Sequence, residues 1–344
     1  MSSTGWIVLA ALALLTAAHF AFWRWKLNAP SRDDEILRAP TRDGWSLALG
    51  RRRPRAAPRL PPVLFVHGIA MNRQAFDFGV ERYSVVAHLA AAGFDCFALD
   101  LRGHGDSRRG PDRRWTLDTY LEEDLPAAFD AIEAATGARE VLYVGHSQGA
   151  LLGMAACALH PSRIRALVAL AGPAHFHSQP RLRTLVELRR LGLGRHLRLL
   201  ARTIAPFAGY LHPPLLELAI NVRNVERPIY RRLLANAMDD LQPGVVDQFA
   251  TCIRDDSFCS CDGKTDYRAL FPGCRQPALF LAGEKDGIAP PAVVEAEFRS
   301  WGGPKRFQVF DRDYGHTDLI LGRNAPEVVY PVIREFLLEQ SRPA

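Results

Sequence analysis

Gly145-His146-Ser147-Gln148-Gly149 is the stretch of this 344-residue chain whose residue types and spacing point most directly to chemistry. A serine between two glycines, after an apolar run that predicts a strand over 140–145 and before one that predicts a helix over 148–160, fits a tight strand–turn–helix bend. Such a bend lifts the hydroxyl clear of the backbone. Serine is a weak nucleophile until a base takes its proton, and that base must be oriented by an acid. For this kind of elbow, acid and histidine follow the serine in chain order. Asp286, in Ala282-Gly283-Glu284-Lys285-Asp286-Gly287 after an apolar run, is the expected acid, with Glu284 its near rival and Asp311 and Asp313 more distant ones. His316 is the expected base, because of the eleven histidines it alone lies in a Gly-flanked loop after the last strand-like run. A tetrahedral oxyanion needs two fixed donors. The backbone N–H of Gln148 and that of Ile69, in Val66-His67-Gly68-Ile69-Ala70, are the candidates. The chemistry is acyl transfer through a serine, with no metal and no organic cofactor required. Asp100–Ser107 also holds an Asp, a His and a Ser, but its glycines suit a structural tight turn.

The elements that must position these groups alternate along the chain. Short apolar runs predict strands over 63–67, 95–100, 140–145, 164–171, 278–283 and 306–310, of the kind buried on both faces of a parallel sheet. Helical patterns over 82–92, 117–135, 148–160, 292–300 and 326–339 lie between them, which is βαβ alternation. Ile36–Leu49 reads as a hairpin around Arg42-Asp43-Gly44, and Arg51–Arg53, Arg55 and Arg59 as a polar loop. The alternation stops once, at about 174–250, where Leu- and Arg-rich helical stretches are broken by Pro206, Pro213, Pro214, Pro228 and Pro243. An insertion there is expected as a helical cap over the carboxyl edge of a doubly wound, mostly parallel sheet, where open α/β folds bind ligands. The expected organisation is therefore 1–30 anchor and linker, 31–173 core, 174–250 cap and 251–344 core.

His67-Gly68, Asp100-Leu101-Arg102-Gly103-His104-Gly105 and Gly145-His146-Ser147-Gln148-Gly149 together resemble the α/β-hydrolase superfamily, over residues of about 36 to 340. Thr41-Arg42-Asp43-Gly44-Trp45, Tyr143–Gly149, Gly315–Gly322 and Ala325–Tyr330 resemble, more narrowly, the acid lipases; Asp100–Gly105 departs toward the general hydrolase pattern. The resemblance implies Ser147 as nucleophile, Asp286 as acid and His316 as base, and a lipase- or esterase-like cleavage of a carboxylic ester through an acyl-enzyme. An acyltransferase using the same triad, or a non-catalytic binding protein on the same scaffold, is the alternative. An epoxide hydrolase or dehalogenase would need a carboxylate where Ser147 stands.

Composition frames this reading. The chain is 48% hydrophobic and 23% charged, enough apolar material to offset chain entropy by burial, so disorder throughout is excluded. Net charge is +6, but all except four of the 43 basic residues are arginine and they are interleaved with acids, which argues against a nucleic-acid partner. Gly5–Trp23 is nearly all apolar, about the ~20 residues needed to cross hydrocarbon, and Trp6, Trp23 and Trp25 flank it. A single-pass membrane anchor is expected, with a cleaved signal peptide or a docked helix as alternatives. Arg24, Lys26, Arg32, Arg38 and Arg42 all follow the span, so the catalytic domain is expected on the cytoplasmic side; export is the alternative. Arg181–Leu191, continued by Arg195, Arg198 and Arg202, alternates basic and aliphatic residues as an interfacial helix or a helix packed on the cap does. Cys252, Cys259, Cys261 and Cys274 lack paired C-x2-C knuckles, so free thiols, or a redox pair if the protein is exported, are expected rather than zinc.

Overall fold

The computed structural model describes residues 3–30, 32–55, 60–111, 114–176, 193–210, 216–311 and 313–342. Helix α1 (Ser3–Leu27) precedes the body, and none of its most apolar window is buried. Strands β1 (Glu35–Pro40) and β2 (Ser46–Arg52) form the expected antiparallel hairpin. Arg51 and Arg52 belong to β2 and not to a polar loop, while Arg59 lies outside the described residues. A strand tolerates Arg51 because Asp95 takes its guanidinium at 2.6 Å while the same group lies over the Phe97 ring.

The chain then winds through β3 (Val63–Val66), helix α2 (Val85–Ala91), β4 (Cys96–Asp100), helix α3 (Leu125–Thr136), β5 (Val141–His146), helix α4 (Gln148–Leu159) and β6 (Ile164–Leu170). After an insertion carrying helices α5 (Leu197–Ile204), α6 (Arg227–Arg232) and α7 (Pro243–Asp255), it closes with β7 (Ala278–Gly283), α8 (Pro291–Ser300), β8 (Lys305–Phe310), α9 (Asp318–Leu321) and α10 (Ala325–Gln340). The six predicted parallel strands are all present, each end within one residue of its expected place. The helix expected over 82–92 begins later, since Ser84 caps α2 by accepting from the Ala87 N–H at 2.9 Å and leaves Glu81–Tyr83 as a separate tight turn. The expected interfacial stretch Arg181–Leu191 lies outside the described residues.

Sheet order is β1-β2-β4-β3-β5-β6-β7-β8, antiparallel at β1, β2 and β4 and parallel from β4 onward. Every residue of β3, β4, β5 and β7 is buried, which explains their unbroken apolar sequences. Strand β8, on the edge, alternates between covered and exposed positions. From β3 the chain runs to one side as β4 and to the other as β5, so the carboxyl ends of β3 and β5 flank the switch point at which such sheets open a crevice.

Candidate active site

Ser147 stands at that switch point, directly after β5 and before α4. Its backbone has φ 54° and ψ −118°, a conformation that L-residues rarely adopt and that persists only where surroundings impose it. Two neighbours impose it. The Ser147 N–H donates to Leu170 O at 2.8 Å, pinning the turn to the end of β6. Gly149 is wedged so tightly under β3 that a Cβ there would overlap the Val66 carbonyl oxygen. Gly68 faces Ser147 from the other side: a Cβ on it would come within 3.1 Å of Ser147 Cβ.

Asp286 and His316 reach one another from the loops after β7 and β8. His316 Nδ1 lies 2.8 Å from Asp286 Oδ2, with both side chains buried. The other oxygen, Asp286 Oδ1, accepts from the N–H groups of Ile288 and Ala289 at 2.8 and 2.7 Å. These bonds hold the carboxylate as an acceptor, so His316 Nδ1 donates and Nε2 carries the lone pair. The rivals are elsewhere: Glu284, Asp311 and Asp313 are exposed, and Asp313 pairs with Lys285. His316 is also tied to the elbow, because His146 Nε2 donates to His316 O at 3.1 Å and the two rings lie 4.9 Å apart.

Ile69 follows Gly68, which faces Ser147, and Gln148 follows Ser147 in the chain. Among the described residues neither backbone N–H donates to a protein group. Gln148 opens the twelve-residue α4, whose dipole favours negative charge at that end. The Ile69 loop is braced from below. The Arg73 N–H donates to Asp100 Oδ1 at 2.8 Å, and the Arg73 guanidinium meets the same carboxylate as well as Asp33 and Asp106. Asp100–Ser107 thus has the structural role expected of it. His67 Nε2 accepts from the Leu101 N–H at 3.2 Å. Burial pushes His67, His104 and His146 below the usual imidazole range, His146 to about 3, so these rings stay neutral near the serine.

Asp318 is a residue that sequence reasoning passed over. Its Oδ2 accepts from Gly315 N–H at 2.5 Å and from Asn221 N–H at 2.8 Å, joining the histidine loop to the insertion. Burial pushes its carboxyl up to about 7 against those two bonds. Around it, the Thr317 N–H and hydroxyl donate to Ala219 O at 2.9 and 2.8 Å, and Gly287 N–H donates to Leu218 O at 3.2 Å. The segment 218–221 therefore braces the acid loop and the histidine loop together. The nearest sequence signal was a carboxylate two residues after His316, with nothing in the chain to say that it would be buried.

Comparison with known proteins bears on the fold. The family model for the alpha/beta hydrolase fold matches residues 61–208. A hydrolase from Pseudomonas aeruginosa superposes with a TM-score of 0.61 at 23% identity, covering 88% of this chain and 98% of that one. The chain has the α/β-hydrolase fold. A putative lipase from Acinetobacter baumannii shares it at a TM-score of 0.63 and 18% identity, over 89% of this chain and 91% of that one. In sequence, this α/β-hydrolase-fold chain is 30% identical to the gastric triacylglycerol lipase of Homo sapiens over 158 residues, 41% of this chain and 39% of that protein. It is 37% identical to triacylglycerol lipase 2 of Arabidopsis thaliana over 102 residues, 27% of this chain and 24% of that protein. The chain thus spans less than half the length of these curated relatives.

Proposed function

We propose that this protein is a serine hydrolase that cleaves a carboxylic ester, anchored in a membrane by α1, with the helical insertion as a cap over its site. The observation that carries the catalytic reading is the buried Asp286–His316 hydrogen bond beside the strained Ser147 turn. Relatives named as triacylglycerol lipases support an acyl ester as the substrate. The Ser147 hydroxyl attacks the ester carbonyl while His316 Nε2 takes its proton, and Asp286 stabilises the imidazolium. The N–H groups of Ile69 and Gln148 hold the oxyanion. His316 then gives its proton to the departing alkoxide as the acyl–Ser147 ester forms. Water, deprotonated by His316, attacks that ester; the carboxylic acid leaves and the proton returns to Ser147.

The anchor reading rests on the 23-residue span Gly5–Leu27, whose most apolar window is wholly unburied, and on Trp6 and Trp25, exposed near either end. The cationic residues that follow the span favour a cytoplasmic domain. A tag near the carboxyl terminus should be inaccessible in intact cells, and surface labelling of it would overturn that orientation. Fluorophosphonate treatment followed by an acyl-chain-length series of esters tests the chemistry. Labelling of the wild type but not of Ser147→Ala, with ester turnover, is the expected result. An unlabelled wild type would favour a binding protein, and labelling without hydrolysis an acyltransferase.

A further inference from the structure

Helix α5 buries Ala201 and packs Ile204 on the core, yet leaves two leucines in the open. Arg198 turns inward to Asp239 at 3.8 Å and Arg202 donates to Ala235 O at 3.2 Å, whereas Leu199 and Leu200 are 67% and 52% exposed. Phe207 and Tyr210, just beyond the helix, are 48% and 62% exposed. An apolar patch of this kind is stable only where something other than water covers it.

What covers it is indicated by α1. The His19 ring stacks on Phe207 at 6.3 Å, and the Arg231 guanidinium lies over both Trp23 and Tyr210, at 5.6 and 5.2 Å. His19 precedes the last residue of α1 by two turns, about 12 Å along the axis, so a side chain level with it reaches below the headgroups of any bilayer that α1 crosses. Arg24, Lys26, Arg227 and Arg231 surround the patch with positive charge suited to lipid phosphates. The exit of α1 is also bound to the floor of the site. Asn236 Nδ2 donates to Leu27 O at 2.9 Å and its Oδ1 accepts from the Ala29 N–H at 3.2 Å. The next residues of that segment hold the oxyanion loop: Asn72 N–H donates to Ala237 O at 3.0 Å and Asp239 N–H to Ala70 O at 2.8 Å. One continuous set of bonds thus runs from the end of the anchor to the residues beside Ile69.

We infer that the face formed by Leu199, Leu200, Phe207 and Tyr210 is immersed in the bilayer that α1 crosses, and that the site takes its acyl ester from the lipid phase. The inference rests on the anchor reading. Its test uses the full chain in vesicles of phosphatidylcholine and phosphatidylglycerol bearing doxyl-labelled acyl chains, with Cys259→Ser and Cys261→Ser removing the accessible thiols. A bimane label is attached at Leu200→Cys or Phe207→Cys, with Val309→Cys on the far edge of the sheet as the control. Strong quenching at 200 and 207 and little at 309 is expected. Protein that floats with the vesicles but shows no selective quenching overturns the inference and leaves the anchor standing. Protein that does not float overturns both. Quenching requires no turnover, so this arm is independent of the catalytic reading. In a second arm, the Leu199→Glu, Leu200→Glu double variant should lose about tenfold in hydrolysis of a long-chain ester in vesicles relative to a soluble short-chain ester. An unchanged ratio, including equal loss of both activities through misfolding, counts against the inference.

Discussion

The two halves of the site are built differently. The half around the proposed nucleophile Ser147, with Gly68 and Gln148, rests on β3 and β5, every residue of which is buried, and on backbone contacts at Gly145 and Gly149 that leave no room for a side chain. The half around Asp286 and His316, the proposed acid and base, sits on two loops at the edge of the sheet, where the insertion segment 218–221 braces them by hydrogen bonds. The first half is fixed by packing and does not adjust. The second is fixed by polar bonds to a separate element, the insertion segment, and one of those bonds is made by the titrating carboxyl of Asp318, so pH reaches the His316 loop more directly than the Ser147 turn.

Substitutions at the two halves should separate this way. Ser147→Ala removes the nucleophile and should lower kcat by about 10⁶-fold with the fold intact, read by ester turnover and circular dichroism. Asp286→Asn, which leaves His316 without its oriented acceptor, should cost about 10⁴-fold. Gly149→Ala forces its methyl group against the Val66 carbonyl and should destabilise the protein by about 3 kcal/mol in denaturant titrations. An equally stable Gly149→Ala protein would erase the contrast between the halves.

Asp318 offers the sharper comparison. Asp318→Ala leaves the Gly315 and Asn221 N–H groups without their acceptor and should cost about 1–3 kcal/mol, with a fall in kcat larger than any change in KM. Asp318→Asn keeps an acceptor and should recover most of that loss. The carboxyl titrates near 7 in the folded protein and near ~4 unfolded, so between those values the folded state holds a proton that the unfolded state has released. Stability of the wild type therefore falls as pH rises through that window. Asp318→Asn has no such proton, so its melting temperature should decline less over the same range; parallel curves would contradict burial as the cause. The smallest effect is expected at Asn221→Ala, which removes two exposed bonds, one donated to Asp313 O and one accepted from the Arg223 N–H, and should cost at most about 1 kcal/mol.

What was legible in the chain was what is local. The parallel strands announced themselves because a strand buried on both faces needs an unbroken apolar run, and β3, β5 and β7 have one. The Ser147 turn was readable because the close backbone packing around it admits only glycine two residues away on either side. Ser84 was missed as a helix start because its cap depends on a hydroxyl geometry that apolar periodicity does not report. Arg51 was misread as part of a loop because its charge is compatible with a strand only beside Asp95, 44 residues away.

By itself the sequence determined the α/β alternation, the order of the proposed serine, acid and histidine, and the long apolar segment ahead of them, since each depends on spacing along one stretch of chain. Only the tertiary structure decided that Asp286, and neither Glu284, Asp311 nor Asp313, meets His316, because that choice rests on which carboxylate is buried against the ring. It also decided that Asp318 binds Asn221 across 97 residues and that the end of α1 binds Asn236 across 209. Burial and long-range hydrogen bonds depend on how distant elements are brought together, and no window of sequence contains both partners.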